Sequence, residues 1–285
     1  MTLIDVPARS PAPSWTMVCI AGCLGLLGAV LFAGFPQIDI AFSRLFHTSD
    51  GKFLLARPSA TFVRELFGWL FLLACAAALV GFLTIAFTSR RPPLQTGFAA
   101  WLYLVLCLGI GPGLVANLLF KDQWGRARPA QIVEFGGAKQ FTPALTRSDQ
   151  CGHNCSFVSG EASSYFAIGF ALALLSDIAR RRRLFLGALA LGSLVGLIRI
   201  GAGGHFLSDV FFAAIFMAFV ARGLYWLLFE RFEAYFADEG PLHRRTLHAG
   251  RRGNEEAVRL MERARASRLA ERMRTIRRRQ APPSS

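Results

Sequence analysis

The sequence predicts an all-α polytopic membrane protein of about six transmembrane helices, with its polar, chemistry-bearing loops on the outward face. Three observations carry this. The chain has 285 residues, 53% of them hydrophobic, and its mean hydropathy of +0.41 is above that of an ordinary soluble domain. Apolar runs near the roughly 20 residues that span a bilayer as a helix recur along it. The net charge of +14 comes from a chain only 18% charged, so the basic residues are concentrated, as on the cytoplasmic flanks of membrane helices. A chain this apolar belongs in lipid, which makes nucleic acid a poor partner for that charge.

The apolar runs lie at residues 15–35, 67–87, 98–120, 161–176, 184–198 and 206–229. The fourth and fifth are short and have polar ends. The first is not a cleavable signal peptide, since only Arg9 precedes it as a basic residue and no small-residue cleavage site follows. "SRRPP" at 89–93 lies between the second and third runs, and "ARRRR" at 179–183 between the fourth and fifth. Fourteen arginines follow Phe229. An even number of spans puts all these segments and both termini on one side, which the positive-inside bias makes the cytoplasm. The loops at 36–66 and 121–160, and the turn "RIGAGGH" at 199–205, then face outward.

This divides the chain into a membrane domain, 1–229, and a basic cytoplasmic tail, 230–285, that is helical or partly disordered. In the tail Asn254 can cap a helix, with Glu255 and Glu256 in its first turn. Val258, Met261, Leu269, Met273 and Ile276 make a thin apolar stripe. That is either a solvated charged helix or one lying on anionic lipid headgroups.

The outward loop that opens with "KDQWGRARP" at 121–129 runs against the charge rule. It carries Lys121, Arg126, Arg128, Lys139 and Arg147. Inverting the topology would export the arginine tail, so these cations need another reason, and anion binding supplies one. The same loop holds "CGHNC". Cys151 and Cys155 admit a disulfide if the loop faces an oxidising compartment. A zinc site there is disfavoured, because His153 is the only nearby third ligand.

Two further outward segments are polar where polarity is costly: "CSFVSGEASS" at 155–164 and "RIGAGGHFLSDV" at 199–210. His205 and Asp209 stand four apart, a spacing that shares a helix face. A carboxylate so placed can take one imidazole N–H and leave the other nitrogen free as nucleophile or base. It could equally be a structural pair at a helix start.

Together the three segments resemble the type 2 phosphatidic acid phosphatase superfamily, over roughly residues 98–229. Its pattern runs Lys, six residues, Arg-Pro; then Pro-Ser-Gly-His; then Ser-Arg, five residues, His, three residues, Asp. The first motif is intact as Lys121 and Arg128-Pro129. The third keeps Arg199, His205 and Asp209, with Ile198 in place of serine. The second keeps Ser159 and Gly160 but has Val158 for proline and Glu161 for histidine. The resemblance implies a membrane lipid phosphatase needing no metal or other cofactor. Lys121, Arg128 and Arg199 would hold the phosphate oxygens, with hydrogen bonds from Ser159 and the Gly160 N–H. His205 would form a phosphohistidine, oriented by Asp209, and water would release phosphate. Three cations can neutralise a phosphoryl group as magnesium does elsewhere, and the covalent step divides one barrier into two.

Glu161 leaves the proton donor open. It is the acid in a desolvated pocket; or an ionised partner of an arginine, with His153 supplying the proton; or the leaving group needs little help. The second reading predicts that Glu161→Gln mainly weakens substrate binding. The substrate expected is an amphiphilic lipid phosphate, with lipid A first and undecaprenyl diphosphate or phosphatidylglycerophosphate as alternatives. A lipid phosphotransferase or a non-catalytic lipid-phosphate-binding member also fits. The location implied is a bacterial inner membrane with the site facing the periplasm and both termini cytoplasmic.

Overall fold

Helix α1 spans Thr16–Gly34 and leads through Phe35 and Pro36 into a short helix, α2, Gln37–Arg44. In this computed structural model residues 15–87 and 97–236 are described, together with Glu255, Glu256, Arg259 and Met261. Apart from those four positions, the "SRRPP" segment and the tail from Asn254 lie outside the described residues. Next come α3, Pro58–Phe87, and α4, Phe98–Leu108, which continues as a π-helix over Gly109–Lys121. Pro112 sits inside that stretch; it has no N–H to donate, and wide π turns are often found near functional positions. Then follow α5, Gly160–Leu175, α6, Ile178–Gly201, and α7, Leu207–Tyr225, which runs on as a π-helix over Trp226–Arg231 before the single turn α8, Glu233–Phe236.

Five helices are long and apolar enough to cross a membrane among the described residues: Thr16–Gly34, Thr61–Phe87, Phe98–Lys121, Ile178–Gly201 and Leu207–Arg231. The protein is thus an all-helical, multi-pass membrane protein. The remaining expected span, the fourth, is α5. Its 16 residues rise about 24 Å, short of roughly 30 Å of hydrocarbon. It tolerates this because it is wrapped in protein rather than lipid. Nearly every side chain from Ala162 to Leu175 is buried, between α3, α4, α6 and α7. A helix apolar on all sides belongs in such a core. By contrast α1 and α3 leave Leu26, Val30, Trp69 and Leu73 exposed, as lipid-facing helices do.

Two boundaries differ from the hydropathy reading. The "ARRRR" arginines are not a loop but the first turns of α6, capped by Asp177, whose carboxylate accepts the Arg180 N–H at 2.9 Å. The outward stretch expected at 36–66 is partly helical, since it contains α2 and the start of α3.

The helix ends fix where the site lies. Lys121 at the end of α4 meets Glu161 at the start of α5. Arg199 near the end of α6 meets the same carboxylate. Thr61 and Arg64 near the start of α3 share a cavity with Arg199, and Asp39 of α2 bonds to Ser208 at the start of α7. All these ends gather on one face of the bundle. On the other, Trp15 before α1 packs near Trp226 at the end of α7, with ring centroids 6.4 Å apart. Successive long helices therefore alternate in direction, and among the described residues α1, α3, α4, α5, α6 and α7 run between the two faces. Tyr165 ties α5 to α3 by donating its hydroxyl to the Phe67 carbonyl at 2.7 Å.

Candidate active site

His205 is wholly buried in the turn between α6 and α7. Its Nδ1 lies 2.7 Å from the Ser156 carbonyl. A carbonyl only accepts, so Nδ1 carries a proton, and in the neutral imidazole the lone pair is then on Nε2. Nε2 has no hydrogen-bond partner. That is the arrangement a histidine nucleophile or base requires.

The part of Asp209 differs from the expectation. Its Oδ2 is 3.7 Å from His205 Nδ1, beyond a hydrogen bond. His205 precedes the first residue of α7, so the spacing of four is not that of one helix face. Both carboxylate oxygens are committed elsewhere. Oδ1 takes Arg126 Nη1 at 2.6 Å, while Oδ2 takes the Ser156 hydroxyl at 2.5 Å and the Phe206 N–H at 2.8 Å. Asp209 thus caps α7 and holds Ser156, and the Ser156 carbonyl orients the imidazole.

Behind this pair lies a closed network of buried charge. Arg126 is fully buried. It donates from Nε to the Thr142 carbonyl at 2.9 Å, from Nη1 to Asp209 and to the Ser208 hydroxyl at 2.9 Å, and from Nη2 to Asp39 at 2.8 Å. Its plane lies over the Phe206 ring, 4.3 Å from the centroid, a stacking for which guanidinium is suited. Asp39 in turn accepts the Ser208 N–H at 2.9 Å and the Ser208 hydroxyl at 2.5 Å. Burial pushes the Asp39 carboxyl above its ordinary value, against the opposing pull of Arg126. Sequence reasoning missed Asp39, Ser156 and Ser208 and counted Arg126 only among the loop cations that anion binding would explain. The one legible signal was "QIDIAF", an acid flanked by apolar residues.

In front of the imidazole the expected cations converge. Glu161 lies 3.2 Å from Arg199 Nε, 4.0 Å from Lys121 Nζ and 3.5 Å from His205 Nε2. Arg128 donates from Nε and Nη2 to the Asn154 carbonyl at 3.2 and 2.7 Å. Burial, and then the charge of Arg199, push Arg128 below its ordinary value, though a guanidinium stays a cation at any working pH. Two glycines make the approach possible. A Cβ at Gly160 would meet Lys121 Nζ at 2.9 Å, and one at Gly204 would meet Arg199 Nη2 at 2.6 Å. Ser159 caps α5 by accepting the Ala162 N–H at 3.4 Å, so the first N–H groups of α5, with their partial positive charge, begin at Gly160 beside the cations.

Cys151 and Cys155 form a disulfide. The loop it closes contains Asn154, whose carbonyl holds Arg128. The Cys155 N–H bonds to the Lys121 carbonyl at 3.1 Å, and the Ser156 N–H to the Arg126 carbonyl at 2.8 Å. His153 is not brought into the cluster: its side chain is 91% exposed and its Nδ1 lies 3.3 Å from Asp122 Oδ1.

A buried histidine with a free Nε2, facing a carboxylate held by cations, suits the capture of a tetrahedral oxyanion. A family model, the PAP2 superfamily, matches residues 100–233. The chain is 34% identical over 205 residues to the lipid A 4'-phosphatase of Francisella tularensis subsp. novicida (strain U112), which covers 72% of this chain and 92% of that protein. A lipid A 4'-phosphatase from Rhizobium etli is 34% identical over 203 residues, 63% of this chain and 75% of its own. One from Rhizobium leguminosarum is 42% identical over 103 residues, 35% and 43% of the two chains. No solved structure matches. The chain belongs to the PAP2 superfamily.

Proposed function

We propose that this protein is a membrane lipid phosphatase that removes the 4'-phosphate of lipid A through a phosphohistidine on His205. One observation carries the reading. The Glu161 carboxylate, paired with Lys121 and Arg199, lies 3.5 Å from the unbonded His205 Nε2, and so marks a place where an anion sits within reach of a nucleophile. A substrate phosphate takes over that place and those cations. Arg128, the Gly160 N–H and the Ser159 hydroxyl complete its shell. The lone pair of Nε2 attacks phosphorus, the bond to the sugar oxygen breaks, and that oxygen takes up a proton. Water then attacks phosphorus and frees the imidazole. Charge neutralisation and in-line positioning are most of what phosphoryl transfer asks of a protein. The names of the relatives support lipid A as substrate and the 4'-position as the target.

The site end of the bundle faces the periplasm from a bacterial inner membrane, and both termini are cytoplasmic. The disulfide favours an oxidising compartment on the site side, and the arginines that start α6 at the opposite end favour the cytoplasm there. The basic tail rests on anionic headgroups.

The test is phosphate release by purified protein from lipid A 1,4'-bisphosphate, its two monophosphates, undecaprenyl diphosphate and phosphatidylglycerophosphate, with the lipid products weighed by mass spectrometry. Loss of the 4'-phosphate with stoichiometric inorganic phosphate is expected. A preference for the diphosphate or the 1-phosphate would overturn the substrate assignment, and phosphate reappearing on another lipid would make the enzyme a transferase.

A further inference from the structure

Two cavities flank the cations of the site, and α3 walls both. One, of about 310 Å³, is lined by Thr61 and Arg64 of α3 together with Arg128, Gln131, Arg199 and Gly204. The other, of about 230 Å³, is lined by Phe67, Gly68 and Phe71 of α3 together with Lys121, Glu161 and Tyr165. On α3, residues 61, 64, 68 and 71 are spaced by three and four, so one helix face serves both. The reacting phosphorus, held by Lys121, Arg128 and Arg199, therefore sits between a basic cavity and one walled by aromatic rings. An amphiphile whose acyl portion lay on the side of Phe67, Phe71 and Tyr165 would have its polar remainder on the side of Arg64.

Arg64 stands outside the PAP2 match, which begins at residue 100, and outside the phosphate-binding motifs. It makes no ion pair among the described residues, yet its charge is felt at Arg128. A volume of about 310 Å³ is at the lower end of small-molecule pockets, which is more than the cleaved phosphate alone requires. A third cation lining the same cavity as Arg128 and Arg199 suits a ligand with two anionic groups.

We propose that Arg64 is a specificity residue: it binds a second anionic group of the substrate, a phosphate or a carboxylate, in the cavity it shares with Arg128 and Arg199. The proposal rests on the lipid phosphatase reading and deepens it, by selecting lipids with more than one anion.

The test compares Arg64→Ala with wild type on three lipids: lipid A 4'-monophosphate, which lacks a second anion; lipid A 1,4'-bisphosphate, which adds a phosphate; and a 4'-monophosphate bearing acidic-sugar carboxylates. Arg64→Ala should lower kcat/KM about tenfold or more on at least one doubly anionic lipid, the scale of one lost charge-assisted hydrogen bond, and less than about twofold on the monophosphate. Which lipid suffers names the second anion, and Arg64→Lys should recover part of the loss. Equal losses on all three lipids would place Arg64 on the cleaved phosphate and overturn the proposal, as would no loss on any. A binding arm keeps the two readings apart. Affinities of His205→Ala and of the Arg64→Ala/His205→Ala pair for the same lipids in micelles need no turnover. Wild-type protein that cleaves none of the lipids defeats the phosphatase reading, while the binding arm still decides Arg64.

Discussion

On the Nδ1 side of His205, Arg126 bonds at once to Asp39, Ser208, Asp209 and the Thr142 carbonyl, and each of these side chains is buried among its partners. On the Nε2 side, His205 Nε2, Arg199 Nε and Glu161 Oε2 are buried without a hydrogen bond. Both regions are polar and charged, and they lie within one ring's width of each other. The difference is satisfaction. A buried network with every donor and acceptor matched is stiff and costly to break. Buried polar atoms that lack partners are costly to keep, and a protein that keeps them gains when a ligand supplies what is missing. The rear region is therefore scaffold and the front region is binding surface, although residue type alone would group them together.

The widest separation between the regions should come from His205→Ala. It removes the nucleophile and leaves the rear network intact, so phosphate release should fall by at least about a thousandfold while thermal unfolding in detergent barely moves. Acid-labile phosphate on the wild-type chain, absent from the variant, would report the intermediate. Substantial turnover by the variant would falsify a phosphohistidine on this residue.

Arg126→Met is the converse. It leaves Asp39 and Asp209 buried without their cation, and breaking a buried pair in this way costs about 3–5 kcal/mol. The loss should appear in unfolding, with activity lost as a consequence. Wild-type stability together with a raised KM would mean that Arg126 belongs to the binding surface and not to the scaffold.

Glu161→Gln tests the front region at its anion. The ion pair of Glu161 with Arg199 is the partnership expected from sequence, but that pairing leads to the opposite of the weakened substrate binding expected with it. The carboxylate competes with phosphate for Lys121 and Arg199, so the neutral amide should let inorganic phosphate or vanadate inhibit at roughly tenfold lower concentration, about 1.4 kcal/mol. Unchanged or weaker inhibition would show that Glu161 assists the anion instead of standing in for it.

The smallest effects belong to the loop that joins the two regions. Replacing Cys151 and Cys155 by serine frees the segment whose Asn154 carbonyl holds Arg128, but the backbone bonds from Cys155 and Ser156 remain. Activity should fall by about two- to fivefold. His153→Ala, on the exposed rim with Asp122, should change it by less than about twofold. A larger loss on an alkyl phosphate ester would restore His153 as the proton donor.

Hydropathy by itself determined the membrane class, and the order and spacing of the polar segments brought out the His205–Asp209 pair and the family resemblance, which in turn supplied the roles expected of Lys121, Arg128 and Arg199. These are local properties: an apolar run long enough to cross lipid, and motifs whose members lie within a few residues of one another. Only the tertiary structure decided what lies behind and beside them. Asp39 reaches Ser208 across 169 positions of sequence, and Arg64 reaches the cavity of Arg199 from a helix outside the motifs. No periodicity encodes such a meeting, because it depends on how α2 and α3 pack against helices much later in the chain. The same holds for Asp209. Its spacing from His205 suggested a direct hydrogen bond, but the choice between 2.7 Å to Ser156 and 3.7 Å to Asp209 is made by three other donors, Arg126 Nη1, the Ser156 hydroxyl and the Phe206 N–H, that take the two carboxylate oxygens.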